Sequence, residues 1–198
     1  NVFAVDTDFR LPELLAALNA KCEDVHCYAL AEAPKNFSPR RAHDRWYRYH
    51  LPYRGQKLEL MVAGAKEFEG EHEFRLFCKP DGKVTLRTLG SVTLRREGEL
   101  IVIDIRAREF LRNMVRRIVS ALDQLGQGKV TIEEVRAALQ GQGRSMGLAD
   151  AEGLVLMDID LDLDWQHPPT GRMATVVAER AHRARVLLRF EEALQEKC

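Results

Sequence analysis

"REFLRNMVRRIVSALDQLG", residues 108–126, decides how the chain is organised. Stepped at about 100° per residue, Phe110, Leu111, Met114, Val115, Ile118, Val119, Ala121, Leu122 and Leu125 fill one continuous half of a helical wheel. Arg112, Asn113, Arg116, Arg117 and Ser120 fill the other. This is an amphipathic helix running to a stop at Gly126, with its apolar half turned toward a core. Arg112 and Arg116 are four residues apart on the same stripe and repel each other. An arginine in the middle of a polar face is expected to meet water, unless an anion is brought to it.

Segments of other periodicity surround this helix. Residues 2–6 alternate like a strand. Pro12 opens a helix, "PELLAALNA". Residues 24–33 read as a second strand, and Pro34 and Pro39 punctuate the loop that follows. "RWYRYHL" (45–51) is a strand with Arg45, Tyr47, Tyr49 and Leu51 on one face and Trp46, Arg48 and His50 on the other. Residues 57–68 fit a helix, and residues 73–78 have no clear type. Residues 84–107 read as a pair of strands joined near Glu97-Gly98. Thr131 and Glu134 form a capping box for a helix ending at Gly141. A Gly-rich loop covers 141–152. Residues 153–165 alternate as one long strand, with Asp158, Asp160, Asp162 and Asp164 on one face. Pro168-Pro169 marks a turn, and a basic helix begins near Ala174. Hairpins outnumber other connections. The expected class is α+β, a mostly antiparallel sheet with helices packed on one face.

The composition narrows the function. Thirty basic and thirty acidic residues cancel, so the whole surface is no polyanion trap. The charges are nonetheless segregated: residues 35–54 carry six Lys/Arg against one Asp. Three more basic segments lie at 79–96, 106–117 and 172–189. Acids collect at 59–73 and in "MDIDLDLDW". Cys22, Cys27, Cys78 and Cys198 include no C-x-x-C pair, and no histidine cluster has metal spacing, so reduced thiols in a cytoplasmic protein are expected. No apolar run is long enough for a membrane span. No P-loop, G-x-S-x-G, H-E-x-x-H or G-x-G-x-x-G occurs. What remains is chemistry suited to RNA. "SPRRAHDRWYRYH" interleaves arginines, which neutralise phosphates and stack on bases, with aromatic rings that offer a platform for an unpaired base. A half-buried strand with a solvated basic edge would look the same.

Several pieces resemble one family in order. "FSPRRAHDRWYRYHL" resembles the F-x-x-R…R-x-Y-x-Y strand of the TruA-type tRNA pseudouridine synthases. "FEGEHEFRLF" resembles their G-x-H/N-D-F segment, and "AEGLVLMDIDLD" their A-P-x-G-L-x-L strand. "IVIDIRAREFLRNMVRRIVSALDQLGQGK" is similar to their strand–helix block, whose F-x-x-x-M-V-R-x-[IL]-V core is the most specific match. The likeness runs over roughly residues 10–165. The family's G-R-T-D-x-G-V motif, which holds the nucleophilic Asp, is absent from the 198 residues. The chain is therefore expected to begin after the catalytic loop and to be inactive alone. The resemblance implies an RRM-like half-domain and a division into 1–33, the end of an N-terminal half-domain; 34–165, the C-terminal half-domain; and 166–198, a linker and basic helix.

The resemblance also implies the chemistry. Uridine in tRNA, in the anticodon stem-loop, is isomerised to pseudouridine: an Asp carboxylate attacks, the glycosidic bond breaks, and uracil turns and rejoins through C5. Arg116 would pair with that carboxylate and keep it ionised. Tyr47 would stack on the base and serve as general base. Arg40, Arg45, Arg112 and Arg117 would contact phosphates. No metal and no other cofactor is needed, and the family works as a homodimer. The alternatives are a non-catalytic RNA-binding module, or a structural or dimerisation domain whose arginines are merely solvated.

Overall fold

A computed structural model of the chain describes residues 1–22, 25–82, 84–167 and 171–195. The chain divides into two compact units: residues 38–162 together with 1–3, and residues 4–37 together with 163–198. The expected Pro168-Pro169 turn lies outside the described residues.

The larger unit is built on an antiparallel sheet of four strands, β1 (Asp44–Pro52), β4 (Ser91–Glu97), β5 (Leu100–Ala107) and β6 (Leu154–Asp160), in the order β4-β5-β1-β6. Two short strands, β2 (Gly70–Glu73) and β3 (Leu86–Leu89), pair separately. The helices of this unit are α2 (Leu58–Glu67), α3 (Met114–Gly126) and α4 (Ile132–Leu139). The α+β class and the antiparallel sheet are as the periodicities led one to expect.

The sheet has two unlike faces because side chains alternate along a strand. Tyr49 and Leu51 from β1, Ile101, Ile103 and Ile105 from β5 and Val92 from β4 enter one core with Met61 of α2 and Ile118, Val119 and Leu122 of α3. The apolar half of α3 is buried as the wheel required. α4 begins with the expected capping box, Thr131 accepting from the Glu134 amide and Glu134 from the Thr131 amide. Its Arg136 grips Glu67 of α2 through two bonds of 2.7 and 2.8 Å, which hold the Glu67 carboxyl below its usual range.

Four expectations need correction. The helix begins at Met114, not Arg108. Asn113 takes a left-handed conformation, φ 64°, which Asn tolerates better than most residues. The Arg112 carbonyl is also spent on the Lys79 amide at 2.9 Å, so it does not start a helical ladder. Residues 84–107 hold three strands rather than two, since the chain turns at Gly90 and β3 leaves the main sheet for β2. The hairpin proper, β4 to β5, turns at Gly98-Glu99, where Gly98 has φ 59°, as a two-residue turn between twisted strands requires. β6 stops at Asp160, with Leu161 buried and the following residues bent. Finally, residues 2–6 and 25–33 form no strand; only an isolated bridge joins Leu30 to Gln166. Alternation marks a face, but a strand exists only where another supplies its hydrogen bonds.

The smaller unit contains α1 (Leu11–Lys21), with Pro12 in its first turn, and α5 (Gly171–Gln195), the expected basic helix. The Asn19 side chain brackets Cys27, donating to its carbonyl and accepting from its amide, both at 2.8 Å. Among the described residues no helix is long and apolar enough to cross a membrane.

Candidate functional site

Tyr47 stands on β1, half-buried at the margin of the core. The alternation that sends Tyr49 and Leu51 inward places it on the same face. Its ring meets Phe110 edge to face, centroids 5.0 Å apart at 83°. Phe110 lies four residues before the start of α3 at Met114. The Tyr47 hydroxyl makes no hydrogen bond among the described residues.

Arg116 lies on α3, half-buried rather than out in solvent. Its Nε donates to the Ala149 carbonyl at 2.6 Å, and the Ala149 amide returns a bond to the Arg116 carbonyl at 3.1 Å. With Nε held, the edge of the guanidinium bearing the two terminal nitrogens has no acceptor among the described residues. That edge is the part suited to a bidentate carboxylate. The rest of the polar face of α3 follows the same pattern. Arg117 donates to the Ser145 hydroxyl and to the Gly147 carbonyl. Ser120 donates to the Met146 carbonyl at 2.7 Å, and Gln124 donates to the same oxygen. The polar stripe thus lies along the segment 145–149 and takes the carbonyls of Met146, Gly147 and Ala149. No hydrogen bond, ion pair or ring contact joins Tyr47 to Arg116.

The other arginines divide by role. Arg45 gives its guanidinium to three carbonyls, those of Pro39 at 3.2 Å, Arg40 at 3.0 Å and Arg108. It ties the loop before β1 to the turn after β5. Arg40 supplies a carbonyl to that knot, and the residue is exposed. Arg112 is exposed too, its backbone anchored by Lys79 and its side chain without a partner among the described residues.

The far face of the sheet carries a cluster that the sequence did not reveal. Asp104 of β5 accepts from the Trp46 indole at 2.6 Å, from Arg48 at 2.8 and 3.1 Å and from Arg95 at 3.0 Å. Arg48 and Arg106 each stand over the Trp46 ring, 5.0 and 4.7 Å from its centroid, and Arg106 also pairs with Asp44 at 2.9 Å. Burial pushes the Asp104 carboxyl up, but the bonds from Arg48, Trp46 and Arg95 outweigh it and hold the group below its usual range. The alternation of β1 puts Trp46 and Arg48 on one face. It cannot place their acid, because that sits on a strand more than fifty residues away whose register is set by packing.

Residues 65–162 match a protein family described as tRNA pseudouridine synthase. Among curated proteins, the chain is 36% identical over 163 residues to the tRNA pseudouridine synthase A of Pyrococcus abyssi, covering 80% of this chain and 62% of that protein. It is 34% identical over 186 residues to the tRNA pseudouridine synthase A of Methanococcoides burtonii, covering 91% of this chain and 68% of that protein. The chain spans about three-fifths of the length of the curated relatives it matches. The chain belongs to the tRNA pseudouridine synthase family.

Proposed function

We propose that this protein isomerises uridine to pseudouridine in tRNA, in the anticodon stem-loop, with Arg116 as the cation that holds the attacking carboxylate and Tyr47 as the ring that meets the base. One observation carries this beyond family membership. Arg116 is half-buried and fixed through Nε, and its paired terminal nitrogens meet no acceptor among the described residues, which leaves them to a carboxylate. A merely solvated arginine would have no such anchor. An arginine so placed keeps a buried carboxylate ionised, as a nucleophile must be.

The steps balance without an oxidant. The carboxylate attacks the sugar carbon and the bond from that carbon to the base nitrogen breaks; uracil turns, and C5 bonds to the same carbon as the carboxylate leaves it. The C5 proton then leaves to a base, the role proposed for the Tyr47 hydroxyl, and the freed base nitrogen takes up a proton in its place. The 198 residues contain no G-R-T-D stretch. On this reading the carboxylate belongs to the share of the family's length that they do not span, and the chain alone binds tRNA without turning it over. The units proposed for this work are residues 34–165 as the C-terminal half-domain, 1–33 as the end of its N-terminal counterpart, and 166–198 as a basic extension. Exposed Arg112 and Arg40 are proposed as direct phosphate contacts, with Arg45 and Arg117 beside them. The working form is proposed to be a cytoplasmic homodimer.

The test is conversion of uridine to pseudouridine in a tRNA transcript, by this chain and by the protein extended to the family's length. Turnover by the extended form only supports the proposal. Turnover by the chain alone places the nucleophile within it, and no turnover by either overturns the function.

A further inference from the structure

We propose that Tyr49 is a positioning residue that fixes the guanidinium of Arg116 through the segment 149–153, an inference that rests on the function assigned to Arg116 above. Tyr49 is buried at 3% exposure, and its hydroxyl donates to the Asp150 carbonyl at 3.0 Å. The preceding carbonyl, Ala149, is the one that takes Arg116 Nε. Tyr49 from the sheet and Arg116 from α3 therefore grip consecutive carbonyls of one segment.

The segment is held at its other end as well. The His50 amide donates to the Gly153 carbonyl at 2.8 Å. Gly153 sits so close to β1 that a Cβ there would lie 2.7 Å from Tyr49 Cζ and 2.8 Å from the His50 carbonyl oxygen. A side chain has no room there, so the backbone of the segment packs directly against the strand. Tyr49 must remain a donor for the clamp to hold. Burial pushes its hydroxyl up, and the neighbouring Asp150 carboxylate adds to that, against Arg116. Glu152 on the segment and Asp123 on α3 raise it further. The phenol thus stays protonated where a tyrosinate would repel the carbonyl.

Without the Tyr49 hydroxyl the Asp150 carbonyl is released, the Ala149 carbonyl moves with it, and Arg116 can turn about its own side chain. A reacting group misplaced by about an ångström costs on the order of a hundredfold in rate. A loosened Arg116 also holds its carboxylate less firmly, which lets the carboxylate's pKa rise.

Tyr49→Phe keeps the ring and removes only the bond. In the extended protein it should lower kcat by about ten- to a hundredfold, leave KM for tRNA unchanged, and move the acid limb of the kcat profile to higher pH. Gly153→Ala should move the same limb the same way. In the 198-residue chain, Tyr49→Phe should speed hydrogen exchange at the Arg116 Nε–H by about tenfold. Wild-type kcat and limb in Tyr49→Phe, with Arg116→Ala inactive, overturn the positioning role and leave the function standing. An active Arg116→Ala overturns the role assigned to Arg116, and this proposal with it, while its turnover leaves the reaction itself standing. A loss of activity equal at every pH, tracking a lower melting temperature, reduces Tyr49 to packing and also overturns the proposal.

Discussion

Arg116 and Ala149 bond each other twice. The arginine Nε donates to the alanine carbonyl at 2.6 Å, and the alanine amide donates to the arginine carbonyl at 3.1 Å. The pair joins α3 to a segment more than thirty residues downstream, and it separates two consequences of one substitution. In the 198-residue chain Arg116→Ala loses a charge-assisted bond to a half-buried carbonyl, about 1–2 kcal/mol. The melting temperature should fall by roughly 2–8 °C, at about 2–4 °C per kcal/mol for a chain of this length. This is more than the near-zero effect a solvated arginine would give. In the extended protein the same change should abolish pseudouridine formation while tRNA still binds. Calorimetry and a turnover assay check the two effects.

Tyr47→Phe should keep the edge-to-face contact with Phe110, because only the hydroxyl is removed. Stability and tRNA affinity should stay within error of wild type. Turnover by the extended protein should fall by on the order of 10²–10⁴, the usual worth of a positioned general base. Turnover unchanged in the phenylalanine variant would leave Tyr47 as a stacking platform only.

Arg112 and Arg45 should respond differently although both are basic and close to one end of the sheet. Arg112→Ala removes an exposed charge without a partner among the described residues, so the salt slope of tRNA binding should shrink by about one and the melting temperature should hold. Arg45→Ala frees three carbonyls and unties the loop before β1 from the turn after β5. It should cost about 1–3 kcal/mol of stability. Filter binding across a salt series, with parallel thermal melts, distinguishes them.

Asp104 makes stability pH-dependent at the acid end. Its folded-state pKa is depressed by Arg48, Trp46 and Arg95 against the pull of burial. Its contribution is therefore complete above the unfolded carboxylate value near 3.9 and is lost as pH falls through the lower folded value. Asp104→Asn should flatten that part of a melting-temperature profile. At neutral pH it should cost about 2–4 kcal/mol, since two guanidiniums lose the charge they pair with and one of the two acceptor oxygens is replaced by a donor NH2. An unaltered acid limb in the asparagine variant would show that other carboxylates, such as Glu67, set it.

Local physics determined much of this protein from the sequence alone. The 3.6-residue repeat of Ile118, Leu122 and Leu125 gave α3 its buried half. The alternation of Tyr47, Tyr49 and Leu51 gave β1 its two faces, and Thr131 with Glu134 gave α4 its cap. Each signal arises between residues a few positions apart, so the order of residues contains it. Motif order likewise carried the family. The tertiary structure alone decided what the charged groups meet. Every residue has a carbonyl, so nothing in the sequence singled out those of Ala149, Arg108 and Pro39 as acceptors for Arg116 and Arg45. The Arg48–Asp104 pair depends on the β1–β5 register, and the start of α3 on a Lys79 amide that takes the Arg112 carbonyl. The same gap explains the strand that did not form at residues 2–6: alternation is local, but a strand needs a neighbour, and only packing supplies one.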